Sequence, residues 1–181
     1  MKPFVSTASK GLARHYQRAL PFDLLPAPRE GDLDAAALYL SGLAHFRGEG
    51  VKKNFAIARK VQTEAAKLGA VEAQFELSLL LAQGIGGRRD IKGAKRWEEK
   101  AAEAGHPRAC LNRASRLASG KKPDYTAAVS WYERAAESGN AEAAARLCKM
   151  HTVGQGVAID EIKARAWFER AAALGYDWSR G

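Results

Sequence analysis

In four stretches of the chain, opening at Ala37, Ala73, Ala109 and Ala143, the opening alanine and the residues four, five and eight places later fall on one face of a helix that turns about 100° per residue. These are the expected inward positions. A second apolar-periodic run follows each stretch. Before it stands Asn54, Asp90, Asp124 or Asp160, whose short side-chain oxygen can accept a hydrogen bond from a free helical N–H. After it stands Gly69, Gly105, Gly139 or Gly175, where the chain leaves the helix through a positive φ. The pattern predicts second helices near 54–68, 90–104, 124–138 and 160–174.

Each predicted second helix carries an alanine pair, Ala65-Ala66, Ala101-Ala102, Ala135-Ala136 and Ala171-Ala172, recurring at steps of 36, 34 and 36 residues. A period of this length denotes a two-helix unit that cannot bury its apolar face alone and does so by stacking on copies of itself. The expected fold class is all-α, a right-handed superhelical solenoid of four two-helix repeats with an N-terminal helical arm. The arm and linker occupy 1–34, the repeats about 35–70, 71–106, 107–140 and 141–176, and a tail 177–181. Within the arm, Ser9 to Leu20 reads as a helix stopped by Pro21, and residues 21–30 as an extended linker.

Gly48-Glu49-Gly50, Gly84-Ile85-Gly86 and Gly154-Gln155-Gly156 separate the two helices of their repeats. They lack the preceding strand and longer glycine pattern of a phosphate-cradling loop, so they read as turns. In the third repeat the connection Gly120-Lys121-Lys122-Pro123-Asp124 is two residues shorter, which accounts for the 34-residue step. Trp97, Trp131 and Trp167 share one repeat position, with Val61 in the first repeat, and are expected to fill the space left by small alanine neighbours.

With these positions in register, the chain resembles the Sel-1-like repeats, relatives of the tetratricopeptide repeats, over about residues 35 to 176. The fourth repeat matches the family pattern most fully, with Ala143, Leu147, Gly154-Gln155-Gly156-Val157, Asp160, Lys163-Ala164, Trp167, Arg170-Ala171-Ala172 and Gly175. Ser41-Gly42, Leu77-Ser78, Arg113-Ala114 and Leu147-Cys148 stand where the family has Leu-Gly. The resemblance implies a bacterial scaffold that binds proteins, an adaptor or regulator. Some similar proteins are immunity proteins that neutralise a toxic effector, which is the alternative within this class.

Composition narrows the chemistry. The two cysteines, Cys110 and Cys148, lie at different positions of successive repeats and read as reduced, buried residues, consistent with a cytoplasmic protein. His45 and His151 occupy the family's aromatic position, and no spacing suited to a metal is present, so no metal site and no cofactor is expected. No serine motif of a hydrolase occurs, and no catalytic residue is assigned. Neither a secretory signal nor an apolar run long enough for a membrane span is read.

The net charge of +9 divides into +1 for residues 1–34, +4 for 35–70, 0 for 71–106, +3 for 107–140 and +1 for 141–181. Lys52-Lys53, Arg88-Arg89 and Lys121-Lys122 each precede a second-helix cap, so stacking lines them along one basic edge. Lysine-rich surface loops read first as a solvated edge; as a recognition stripe the same pairs support a reading of another class, nucleic-acid binding. The repeat-core location of the aromatic residues and the neutral second repeat weigh against it.

The faces of the first helices opposite the inward positions are Tyr39, Leu40, Leu43 and Arg47; Phe75, Glu76, Leu79 and Gln83; Leu111, Asn112, Ser115 and Ser119; and Ala145, Arg146, Lys149 and Val153. The expected partner is a protein or peptide on this concave face. Its apolar anchor docks on Tyr39, Leu43, Phe75 and Leu79, and an acidic segment reaches Arg146 and Lys149. The N-terminal arm packing onto Tyr39 and Phe75 is the competing occupant. At the other end, Tyr176 and Trp178 either fold back on the last helix pair or meet a second copy in a homodimer.

Overall fold

The computed structural model describes residues 30–180, which form eight α-helices and no strand. In order they are α1 Glu30–Arg47, α2 Phe55–Lys67, α3 Val71–Gln83, α4 Ile91–Glu103, α5 Pro107–Ser119, α6 Tyr125–Glu137, α7 Ala141–Val153 and α8 Glu161–Ala173, followed by a 3-10 turn, Trp178–Arg180. The expected second helices are α2, α4, α6 and α8, and the expected caps start them. Asn54 accepts from Ile57 N at 3.0 Å, Asp90 from Gly93 N at 2.8 Å, Asp124 from Ala127 N at 2.9 Å and Asp160 from Lys163 N at 2.9 Å. Two first-helix caps were not anticipated. His106 Nδ1 accepts from Ala109 N at 3.4 Å and Asn140 Oδ1 from Ala143 N at 2.9 Å. The arm helix and nearly all of the expected linker lie outside the described residues, but residues 30–34, expected to belong to the arm and linker, form the start of α1.

The chain forms two compact units that divide between Trp97 and Glu98, inside α4. In the first unit α1 packs on α2 and α2 on α3. Its core joins Ala65, Ala66, Ala73, Leu77, Leu81 and Ala94, with Leu38, Tyr39 and Trp97 against them. In the second unit α5 packs on α6, α6 on α7 and α7 on α8, burying Ala109, Ala114, Ala135, Ala136, Ala143 and Leu147 completely. Side chains as small as alanine let helix axes approach toward the short end of the usual range of about 8–10 Å.

Two features differ from the helical-wheel expectation. On α3 the expected outward residues Glu76, Leu79 and Gln83 are half-buried or exposed, but Phe75 is buried along with Leu77, Leu80 and Leu81. The tryptophans at 97, 131 and 167 are half-buried rather than enclosed.

The loop glycines do more than end helices. At Gly86, φ is +72°, and a Cβ would overlap the carbonyl oxygen of Phe55 at the start of α2. At Gly156, φ is +78°, and a Cβ would lie 2.5 Å from the Tyr125 carbonyl carbon at the start of α6. Each loop is further tied down by a hydrogen bond, from Arg59 Nη1 to Arg88 O at 2.9 Å and from Thr126 Oγ1 to Gly156 O at 3.4 Å. Gly86→Ala or Gly156→Ala should therefore cost about 2–4 kcal/mol, combining left-handed strain with overpacking. At Gly139 a Cβ would meet nothing within 4 Å, and its replacement by alanine should cost only about 1–2 kcal/mol. Urea titrations of the three variants check the difference.

Candidate partner-binding surfaces

The outward residues of the first unit have unequal surroundings. Arg47 is exposed and pairs with Glu49 at 3.8 Å, a contact between two solvated groups. Tyr39, Leu43, Glu76 and Leu79 are half-buried, and the Tyr39 carbonyl accepts from Gln62 Nε2 at 3.3 Å. Phe75, expected to be an exposed anchor, is only 4% exposed. Large apolar residues at 75, 77, 80 and 81 fall on several faces of the helix, so burial on more than one face is the favourable arrangement and the ring is not an open contact. Of the basic edge, Lys52, Lys53, Arg88 and Arg89 are exposed in the first unit, and the bond from Arg59 to the Arg88 carbonyl brings the two pairs to the same end of α2 and α4. Lys121 and Lys122 are exposed in the second unit.

In the second unit, Leu111 is half-buried and Asn112 is engaged by its own chain. Asn112 Nδ2 donates to Glu98 Oε1 at 2.7 Å, and Arg116 Nη1 meets Glu98 Oε2 at 2.5 Å. Asn112 therefore joins α4 to α5, a role that periodicity could not show because the partner lies on another helix. Arg146 and Lys149 are exposed, and they line a cleft of about 300 Å³. Its walls come from α5 (Ser115, Ala118, Ser119), α6 (Tyr125, Tyr132), α7 (Arg146, Lys149, Met150) and the following loop (Gln155). No lining residue carries a negative charge. The buried Tyr132 places its hydroxyl 3.3 Å from Ser115 Oγ, and Met150 and Ala118 add an apolar floor. Arg146 has an acidic neighbour, Glu142 at 3.3 Å, and both side chains are about half exposed, so water screens that pair.

In the same unit two guanidinium groups stand over the indole of Trp131, Arg113 at 4.2 Å and Arg134 at 4.6 Å from the ring centroid. Both arginines are held at the end of α4. Arg113 pairs with Glu103 Oε1 at 3.7 Å and Arg134 Nη2 donates to Glu103 O at 2.9 Å. The arrangement explains how the third repeat tolerates arginine at 113, where its siblings carry smaller or apolar residues. At the end of the second unit Trp178 stacks on Phe168 at 4.6 Å and meets Tyr176 at 4.8 Å, so the tail folds back on α8. No three of the His, Cys, Asp and Glu side chains converge as metal ligands among the described residues, and no described helix is long and apolar enough to cross a membrane.

Trp131→Ala should lose about 2–3 kcal/mol, less than the about 3–5 kcal/mol of a fully buried tryptophan, because the ring is only half-buried and has arginine side chains over it. Trp131→Phe should retain most of the stability, and equal losses for the two variants in urea would show that ring stacking is not the source. The Cys110 thiol is buried and donates to Ala102 O at 3.2 Å. Burial raises its pKa, against the opposing charges of Arg134 and Arg113. Under native conditions iodoacetamide should modify Cys148, which is only half-buried, well before Cys110. Mass spectrometry of the two peptides reads the order.

The Sel1 repeat pattern matches residues 35–69, 71–106, 107–140 and 141–176. Among solved structures, a Sel1 repeat protein from Oxalobacter formigenes is 33% identical with a TM-score of 0.69, over 93% of this chain and 69% of that one. The c5321 protective antigen of uropathogenic Escherichia coli, which displays an SLR fold, is 25% identical with a TM-score of 0.50, over 78% of this chain and 38% of its own. The immunity protein Pa5087 from Pseudomonas aeruginosa is 16% identical with a TM-score of 0.47, over 95% and 84% of the two chains. Comparison with curated proteins finds no match. Four consecutive matches across the described helix pairs settle the family: the chain belongs to the Sel1 repeat proteins, whose fold typically serves as a protein-interaction module.

Proposed function

We propose that this chain is a non-catalytic adaptor or regulator that binds a protein partner, and that the cleft between α5, α6 and α7 receives an acidic segment of that partner. The observation that supports this reading is the cleft's one-sided charge. Arg146 and Lys149 stand at its walls above tyrosine and serine hydroxyls, and none of its lining residues is acidic. A carboxylate entering there gains charge-assisted hydrogen bonds from groups already held on three helices. The Glu142 contact of Arg146 is solvated and is readily exchanged for a partner's carboxylate. Met150 and Ala118 accept an apolar neighbour of the acidic residue. In the first unit, the half-buried Leu43 and Leu79 supply apolar contact area.

A photo-crosslinking side chain at Ser119 or Gln155 should trap the partner in the source cells, and the purified partner then permits direct measurement. Arg146→Glu and Lys149→Glu should each weaken binding about tenfold or more, equivalent to about 1.4 kcal/mol. Wild-type affinity in a folded double variant would move the interface away from the cleft.

A further inference from the structure

We infer that the basic edge of the first unit docks on an anionic lipid surface. Sorted by repeat, the charge of this region is diluted by acidic residues of α3 and of the second half of α4; sorted by position in the fold, it is concentrated. Residues 51–61 contain Lys52, Lys53, Arg59 and Lys60 and no acidic residue. Residues 84–97 contain Arg88, Arg89, Lys92, Lys95 and Arg96, with Asp90 as the single acid. The bond from Arg59 to the Arg88 carbonyl and the seating of Gly86 on the Phe55 carbonyl hold the two segments side by side. Ala58 and Ala94 are buried while Lys60, Lys92, Lys95 and Arg96 are exposed, so α2 and α4 turn their cations to solvent. Among the described residues none of these nine cations forms an ion pair, although seven ion pairs form elsewhere.

The helix ends add to the same field. α2 and α4 both begin here, so their positive dipole ends lie within the patch, where nearby lysines oppose them. Asn54 caps α2 without a charge, whereas α4, α6 and α8 are capped by aspartate. Apolar side chains are spread among the cations. Val51, Phe55 and Ile57 are 40–41% exposed and Ile91 is 52% exposed. A phosphodiester backbone offers nothing to exposed aliphatic groups, and the exposed ring of Phe55 is covered by the Lys53 ammonium at 4.9 Å. A bilayer interface accommodates both kinds of group. Headgroup phosphates take the cations, and the aliphatic side chains enter between headgroups.

The test is co-sedimentation with vesicles of phosphatidylglycerol and phosphatidylcholine, with pure phosphatidylcholine vesicles and a 20-base-pair duplex as comparisons. The protein should bind the anionic vesicles, leave phosphatidylcholine unbound, and lose at least about tenfold in affinity between 0.1 and 0.5 M salt as screening shortens. Lys92→Glu/Lys95→Glu, and independently Lys52→Glu/Lys53→Glu, should each reduce binding at least tenfold with an unchanged melting temperature. Ile57→Ser/Ile91→Ser should reduce it severalfold at constant charge. No binding to anionic vesicles, equal binding to both lipids, charge-reversal variants that bind as wild type, or an unaltered affinity in the serine variant would each overturn the inference. Displacement from the vesicles by the duplex at equal phosphate concentration would assign the edge to nucleic acid instead.

Discussion

Close approach of helices, permitted by the alanine pair on each second helix, is the constraint on which the rest of this structure depends. Ala65-Ala66, Ala101-Ala102 and Ala135-Ala136 are all buried, and α2 and α6 each pack on the helix before and the helix after them. A methyl group is the largest side chain that such a double contact admits without separating the axes. In the fourth repeat Ala171 is buried but Ala172 is exposed. The difference marks the described end of the packing, which Trp178 covers only in part by stacking on Phe168.

Much of this was legible because it is local or repeated. The caps at 54, 90, 124 and 160 depend on one side chain and the backbone three residues on, so short-range chemistry specifies them. The second-helix limits followed from those caps and the terminal glycines. The burial of Phe75 was missed because a one-sided helical wheel presumes a single neighbour. The signal was nevertheless present in the large apolar residues at 75, 77, 79, 80 and 81, which at 100° per residue fall on several faces of the helix rather than one. The cap made by His106 was obscured by residue type, since an imidazole nitrogen is an uncommon acceptor at that position. Arg146 and Lys149 were placed on an outward face by spacing alone, but the cleft they line also needs Tyr125, Tyr132 and Gln155, which other segments contribute.

The surface cations serve distinct purposes according to what they touch. Arg113, Arg116 and Arg134 are tied to Glu98 or to the end of α4 and act in the architecture of the second unit. Arg146 and Lys149 remain near solvent, with only the screened contact to Glu142 described for the first. In the first unit, positive groups accumulate around two helix starts with Asp90, the cap of α4, as the single acid among residues 51–61 and 84–97. Charge repulsion within such a patch opposes folding, and the buried alanine and leucine core beneath it supplies the compensating stability.

The residue after the tryptophan position is Gln62, Glu98, Tyr132 and Phe168 in the four repeats, and each makes a different contact. Gln62 reaches the Tyr39 carbonyl and lies close against Gly42, where an added Cβ would stand 2.8 Å from its side chain. Glu98 binds Asn112 and Arg116, Tyr132 faces Ser115, and Phe168 stacks on Trp178. A chain of near-identical modules is open to slipped pairings during folding, because the conserved alanines and glycines of one repeat fit those of another. These four contacts are not interchangeable. Gln62 and Tyr132 act within their own repeats and Phe168 on the tail, whereas Glu98 reaches from the second repeat to the third. Exchanging or duplicating a repeat at that joint would therefore strand a carboxylate and its partners even where every shared position still matched.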